Sequence, residues 1–496
     1  MSHVTGEDLP DAPPAGGLNV ETNALNTISE SERRGRPSDL FWPWFGANVS
    51  VFGLSWGSWV LGFGISFWQG LVVGAIGIVV SFLLCGFIAV AGKRGSAPTM
   101  VLSRAAFGVN GNRLSSLLSW ILTVGWETVL VALAALATST VFGQLGWSDG
   151  DVTKVVSLLV VVALVIFAGV YGFDVVMRLQ VVITWVTGVL TVVYFVLVVD
   201  HIHWHAVSAL PSGSTQAVIG ALIMAAAGFG LGWVNASADY SRYLPRSASG
   251  SGIVGWTTFG GSVAPVVLLL FGLLLAGSDS DLNGAIGGDP IGALASILPE
   301  WFLVPFVVVA ILGLVGGAAL DIYSSGLALL SMGLKAPRYV AALIDGVIMT
   351  IGAVYIVFGP DSFFGPFQGF LITVGVPIAA WAGVFLADLL LRKEPYHEPS
   401  LYDAKGVYGS VNWVNVGLIV VGTVIGWGLV TNSYASWLTW QGYLLKPFGL
   451  GDKDFDWANP AAWAHSNLGV VAALVIGFVG TLLLTRGMVR KQEELA

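Results

Sequence analysis

Apolar and polar positions alternate along this chain in blocks rather than turn by turn. Twelve apolar runs lie near 41–66, 68–92, 112–143, 153–171, 175–199, 216–241, 253–277, 300–332, 338–358, 364–391, 411–431 and 466–486. Each approaches the roughly 20 residues that a helix needs to cross a bilayer. The pattern predicts an all-α integral membrane protein of twelve spans. Residues 1–38 are polar, with Pro10, Pro13, Pro14, Gly16 and Gly17, and read as a solvated tail that does not resemble a cleaved signal peptide. The first and sixth runs share a phrase. "FGLSWGS" at Phe52–Ser58 returns as "FGLGWVNAS" at Phe229–Ser237, and the first copy sits among Gly53, Gly57, Gly62 and Gly64. Glycine weakens a helix, so these clusters predict helices broken at mid-membrane near Gly53–Gly57 and Gly228–Gly232.

The echo also organises the chain. Spans 1–5 and 6–10 become two halves of opposite orientation, since five crossings separate them. The expected divisions are a disordered cytoplasmic tail over 1–38 and a transporter core over 39–393, with repeats 39–200 and 214–393. Two appended helices and a C-terminal tail occupy 394–496. Discontinuous helices at the start of each inverted half place a binding site at the bilayer midplane.

Composition narrows the function. Of 496 residues 10% are charged and 55% hydrophobic, against roughly 25% charged in soluble domains. With the N-terminus inside, only Lys154, Lys446 and Lys453 of the 21 Lys and Arg fall on the outer side. That asymmetry predicts a multi-pass protein of the cell membrane with both termini cytoplasmic. The net charge of −8 gives no nucleic-acid footprint. The lone Cys85 offers neither a disulfide nor a zinc set and reads as a small buried residue. "GFIAVAGKR" at Gly86–Arg94 has the wrong spacing for a phosphate loop, and neither HExxH nor GxSxG occurs. "HIHWH" (His201, His203, His205) reads as interfacial loop residues. No enzyme activity, ATP-binding partner, metal or cofactor is expected, so transport would be secondary.

Four segments carry a family resemblance: "ERRGRPSDLFWPWFGANVSVFGLSWG" (Glu32–Gly57), "VLSRAAFGVNG" (Val101–Gly111), "GFGLGWVNASADYSRYLP" (Gly228–Pro245) and "DIYSSGLALLSMG" (Asp321–Gly333). In this order they resemble the purine/cytosine permeases, a branch of the nucleobase–cation symporters. The resemblance implies the five-plus-five inverted repeat of the LeuT-like fold and a flat heterocycle, such as cytosine or a purine, held between spans 1, 3, 6 and 8. Trp126 falls where the family places a stacking aromatic; Phe229 opposes it, with Trp233 as alternate. Asn48, Ser50, Gly53, Leu54 and Ser55 of span 1, and Gly230 of span 6, are placed to read the base edge.

Two intramembrane carboxylates, Glu127 and Asp321, are functional candidates because a charge at bilayer depth is costly. Asp321 stands where relatives carry Asn, and either accepts from a base N–H or binds the coupling proton. Glu127 is the second proton candidate and points about 100° away from Trp126. Asp239 and Arg242, spaced i,i+3, read as a structural or gating pair. Sodium-coupled relatives use two hydroxyl residues on span 8; the matching positions are Gly316 and Gly317, which favours protons over sodium. The alternatives are a same-fold carrier of allantoin, hydantoin or thiamine, a sodium-coupled carrier, and, from another class, an integral-membrane enzyme.

Overall fold

The computed structural model describes residues 19–359, 364–453 and 463–496. Among these residues nine helices are long and apolar enough to cross a membrane, or ten if one bent pair counts as a single span. The nine coincide with the second to tenth apolar runs. The first run folds as two short helices, α1 (Phe41–Asn48) and α2 (Ser55–Leu61), separated by non-helical backbone. The long helices that follow are α3 (Phe67–Gly95), α4 (Asn112–Gln144), α5 (Asp151–Tyr171) and α6 (Phe173–Val198). The sixth run gives α7 (Thr215–Gly228) and, past a second break, α8 (Ser237–Ser241). Next come α9 (Gly250–Ser278), α10 (Glu300–Ser331), α11 (Arg338–Phe358) and α12 (Phe364–Leu391). The eleventh run yields α13, Trp413–Gly428, only 16 residues long. The twelfth yields α14 (Leu468–Leu484), bent by 59° from α15 (Arg486–Leu495).

Local chemistry sets the helix ends. Ser66 accepts from the Gln69 N–H and Gln69 answers with its own side chain, a reciprocal cap that starts α3. Lys93 and Arg94 close the same helix, where cations complement the negative end of its dipole. Ser214 and Ser249 cap α7 and α9 by accepting from the Ala217 and Gly252 N–H groups. Burial then sorts the helices. The most apolar windows of α4 and α10 are 78% and 72% enclosed, against 33% for α6, which turns Val182, Trp185, Val189 and Val196 outward. In a chain this apolar such outward faces suit lipid, and α4 and α10 form the centre.

Two of the four glycines that suggested a break in span 1, Gly53 and Gly57, serve packing instead. α1 ends at Asn48, Val49 and Ser50 leave helical geometry, and Val51–Leu54 forms a 3-10 turn. The break therefore lies upstream of the expected Gly53–Gly57. A Cβ on Gly57 would overlap the Gly272 backbone of α9, and one on Gly53 would lie 2.8 Å from Leu268 Cδ1. Small residues permit this close helix approach. Gly62 and Gly64 merely end α2, the latter with φ +68. The second break falls where the sequence placed it. Phe229 takes φ −106, ψ −105 and 3-10 turns occupy Gly230–Gly232 and Val234–Ala236.

The N-terminal segment departs from the expected solvated tail. Residues 1–18 lie outside the described residues, but from Glu21 onward the chain packs across one face of the bundle. Glu21 N–H donates to Tyr171 O at 3.0 Å, Ile28 N–H to Ser96 O at 2.8 Å, and Ile28 is buried. The Gly57–Gly272 contact predicts that Gly57→Ala lowers the thermal unfolding midpoint, through overpacking of about 1–3 kcal/mol. Gly255→Ala, where no atom lies within 4 Å of the new Cβ, should leave it near the parent; equal midpoints for both variants would reject the contact.

Candidate functional site

The two breaks meet. A cavity of about 60 Å³ lies between them, lined by Asn48, Ser50, Phe52, Gly53 and Trp56 from the first broken segment. Gly228, Phe229 and Trp233 come from the second, Trp126 and Leu130 from α4, and Gly313 and Gly317 from α10. A water needs roughly 10–15 Å³ by this measure, so the space is larger than a single water requires. Its walls are aromatic. Phe229 packs on Trp56 with ring centroids 4.7 Å apart, and Trp126 meets Phe367 edge-on at 5.2 Å. The Trp126 indole N–H is buried with no hydrogen-bond partner among the described residues. That leaves one donor free beside aromatic faces.

Unwound backbone in an apolar setting needs partners, because each unsatisfied group costs several kcal/mol. Ser50 Oγ accepts from the Phe52 N–H at 3.4 Å, and the Asn48 amide donates to Trp44 O at 2.7 Å. At the second break the Gly230 N–H donates to Ser81 Oγ at 3.0 Å, while its carbonyl accepts from Cys85 Sγ at 2.9 Å. Gly230 thus faces α3 and not the cavity, a correction to its expected role. The same holds for Leu54 and Ser55, both fully buried away from the cavity; the Leu54 carbonyl packs where a Cβ on Gly272 would sit. The Cys85 thiol, expected only to fill space, supports the break.

Of the expected site residues, the structure gathers Trp126, Phe229, Trp233, Gly53 and Asn48 around one cavity. Asp321 does not line it. Asp321 lies one turn along α10 from Gly317, buried, with Oδ2 lacking any hydrogen-bond partner among the described residues. Glu127 points away from the cavity, accepting from Ser325 Oγ at 3.4 Å. Asp345 on α11, which the sequence reading passed over, is equally buried and accepts from Trp120 Nε1 at 2.8 Å. Its signal was plain: an acid in the apolar run "AALIDGVIMT". None of these three carboxylates has an ion-pair partner among the described residues. Asp239 and Arg242 do not pair with each other. Asp239 accepts from the Thr99 N–H at 2.7 Å, and Arg242 binds Glu21 at 2.8 Å.

A side chain at Gly316 meets a steric obstacle, since a Cβ there would stand 2.8 Å from the Gly46 carbonyl; one on Gly317 would meet the movable tip of Leu130 at 2.8 Å. Gln180 of α6 fills the junction, donating to Gly316 O at 2.7 Å while its Oε1 crowds Gly46.

Access is one-sided. A second cavity of about 430 Å³ shares Trp56 and Gly228 with the first. It lies beyond α2, with Phe63, Asn283, Gln368, Tyr434 and Asn467 among its walls. Residues past 394, Thr431, Tyr434 and Asn467 among them, thus line this larger cavity. Toward the face crossed by the N-terminal segment the interior is filled. There the buried Trp44 ring meets Tyr240 at 5.4 Å and Trp233 at 5.8 Å.

A family model described as a permease for cytosine/purines, uracil, thiamine and allantoin matches residues 27–444. The chain belongs to this family. It is also 25% identical to a Bacillus subtilis protein taken to be a purine-cytosine permease, over 88% of this chain and 92% of that one. A cytosine permease of Escherichia coli strain K12 is 24% identical over 75% and 81%. Among solved structures, Mhp1, a nucleobase-cation-symport-1 family transporter in a closed conformation with bromovinylhydantoin bound, covers 97% of this chain and all of its own. That match has a TM-score of 0.68 at 17% identity. This permease is therefore a multi-pass, all-helical transporter of the LeuT-type fold and not an enzyme.

The junction of Gly46, Gln180 and Gly316 predicts that Gly316→Ser lowers thermal stability by about 1–3 kcal/mol through overpacking. A Gly316→Ser protein as stable as the parent would contradict the steric account.

Proposed function

We propose that this permease imports a nucleobase, cytosine or a purine, by proton symport across the cell membrane. The observation that carries the reading is the small cavity at the meeting of two helix breaks, walled by Trp126 and Phe229. A nucleobase offers π-faces to such rings and an edge of donors and acceptors to the Trp126 N–H and the span 1 backbone. Asn48, Gly53 and Trp233 complete the contacts. Allantoin, hydantoin and thiamine are the alternatives, since they share a polar-edged ring.

The fuller architecture is part of the proposal. It has twelve crossings, repeats 39–200 and 214–393 in opposite orientation, appended helices after 394, and both termini cytoplasmic. Paired breaks at the start of each half and the Lys/Arg asymmetry support it. On this orientation the larger cavity faces outward and the N-terminal segment closes the inside.

Proton coupling draws on Asp321 and Glu127, with Asp345 beside them. Buried carboxyls without a cationic partner are placed to bind and release a proton. The Gly316–Gly317 backbone, flush against α1, leaves no side-chain oxygen there for sodium.

Trp126→Ala should weaken nucleobase binding by about 1–3 kcal/mol through lost stacking, with Trp126→Phe much milder. Calorimetry in detergent reads this directly, and undiminished affinity in Trp126→Ala would remove stacking from the account. Coupling is tested by uptake of radiolabelled cytosine, adenine, guanine, hypoxanthine, uracil and allantoin into vesicles. Uptake of the favoured base should rise as external pH falls, collapse with a protonophore and ignore replacement of sodium by choline. Asp321→Asn should bind but not accumulate substrate. Uptake that follows sodium at fixed pH and survives the protonophore would overturn proton symport.

A further inference from the structure

We infer that Glu21 is a gating residue of the transport cycle, a carboxylate on the N-terminal segment that holds one face of the bundle shut. The inference rests on the transport reading above but not on the identity of the substrate.

Glu21 belongs to no helix, yet its carboxylate has more partners than any other described in this protein. Oε1 accepts from Arg242 Nη2 at 2.8 Å, Tyr243 OH at 2.7 Å and Tyr323 OH at 3.1 Å. Oε2 accepts from the Phe173 N–H at 2.8 Å and stands 3.4 Å from Arg338 Nε. These partners come from separate parts of the fold. Arg242 and Tyr243 follow α8, the far half of the second broken helix. Tyr323 lies on α10, Arg338 opens α11 and Phe173 opens α6. One side chain therefore ties the broken helix that walls the cavity to the helices packed beyond it.

The charges give the tie its force. Arg242 and Arg338 are both buried, and both guanidiniums sit over the Tyr323 ring, at 5.9 Å and 5.7 Å from its centroid. Among the described residues Glu21 is the carboxylate ion-paired to either of them. Asp239, the nearest candidate in sequence, is engaged by Thr99. Remove the Glu21 charge and two buried cations converge on one ring with no counter-charge between them. An uncompensated buried charge is strongly unfavourable, and it is relieved when the groups separate and admit water. Separation along this line moves α8 away from α10 and α11, which opens the face that is now filled.

The rest of the segment is held as a strap. Arg242 Nη1 donates to Ala24 O at 2.7 Å, the Arg34 N–H to Tyr243 O at 2.7 Å, and the Tyr402 OH to Leu25 O at 2.6 Å. Asn23 joins Glu32 to Tyr243. Gly172, at φ +88, keeps the α5–α6 turn clear of Glu21 and Arg338, which a Cβ there would strike. Opening this face requires the strap to lift, and Glu21 is its charged anchor.

The test uses the full-length chain in membrane vesicles, with Cys85→Ala as background and single reporter cysteines. Leu327→Cys reports on the closed face: Leu327 is buried and lies one turn beyond Tyr323 on α10. Met224→Cys reports on the opposite cavity, which Met224 lines. Glu21→Ala and the isosteric Glu21→Gln should raise maleimide labelling of Leu327→Cys by about tenfold, a bias of about 1.4 kcal/mol between two states. Labelling of Met224→Cys should fall in the same variants, and Glu21→Asp, which keeps the charge, should restore both toward the parent. Labelling unchanged at both positions in a folded Glu21→Gln protein overturns the inference. So does a rise at both together, which marks general loosening, or a failure of Glu21→Asp to rescue. Labelling needs no substrate, so absent nucleobase uptake would count against the proposed cargo and leave this result standing.

Discussion

An apolar surrounding makes every unpaired peptide group a liability, and the architecture of this permease follows from how it meets that constraint at two helix breaks. At the first, Ser50 turns its hydroxyl back to the Phe52 N–H. At the second, Ser81 and Cys85 of α3 take both polar groups of Gly230. Once these are satisfied, the chain can leave helical geometry inside the bundle without water. Beside the cavity the Trp126 indole N–H has no partner among the described residues, and a ligand that supplies an acceptor there gains a hydrogen bond that the protein alone leaves unmade.

Packing fixes the rest. α1 and α10 approach through Gly316, and α2 and α9 through Gly57 and Gly272, so that backbones meet where side chains normally intervene. The same closeness leaves no room for a side chain at Gly316, with Gln180 wedged where α1, α6 and α10 converge.

Much of this was legible in the sequence, and the exceptions have physical reasons. The repeated FGL-x-W phrase located the second break correctly. The first was displaced upstream because Gly53 and Gly57 answer to Leu268 and Gly272 rather than to unwinding. Trp126 and Phe229 came out on one cavity: Phe229 opens the repeated phrase at the second break, and Trp126 was placed by the family resemblance. Gly230, Leu54 and Ser55 did not, because the direction of a peptide group depends on neighbours remote in sequence. Glu21 was invisible for the same reason. It sits in a polar, proline-containing stretch, and Arg242 and Arg338, the cations that need it, lie more than 200 residues away. Asp345 needed no structure; an acid in an apolar run is a signal by itself.

The central claim is that the two breaks together form one binding site. It is tested most directly by determining the structure of the protein with the proposed nucleobase bound. The account predicts a planar ligand beside the Trp126 and Phe229 rings, its edge turned to the backbone near Ser50 and Gly53. A ligand found only in the larger cavity among Phe63, Asn283 and Tyr434, with the space between the breaks unoccupied, would contradict it.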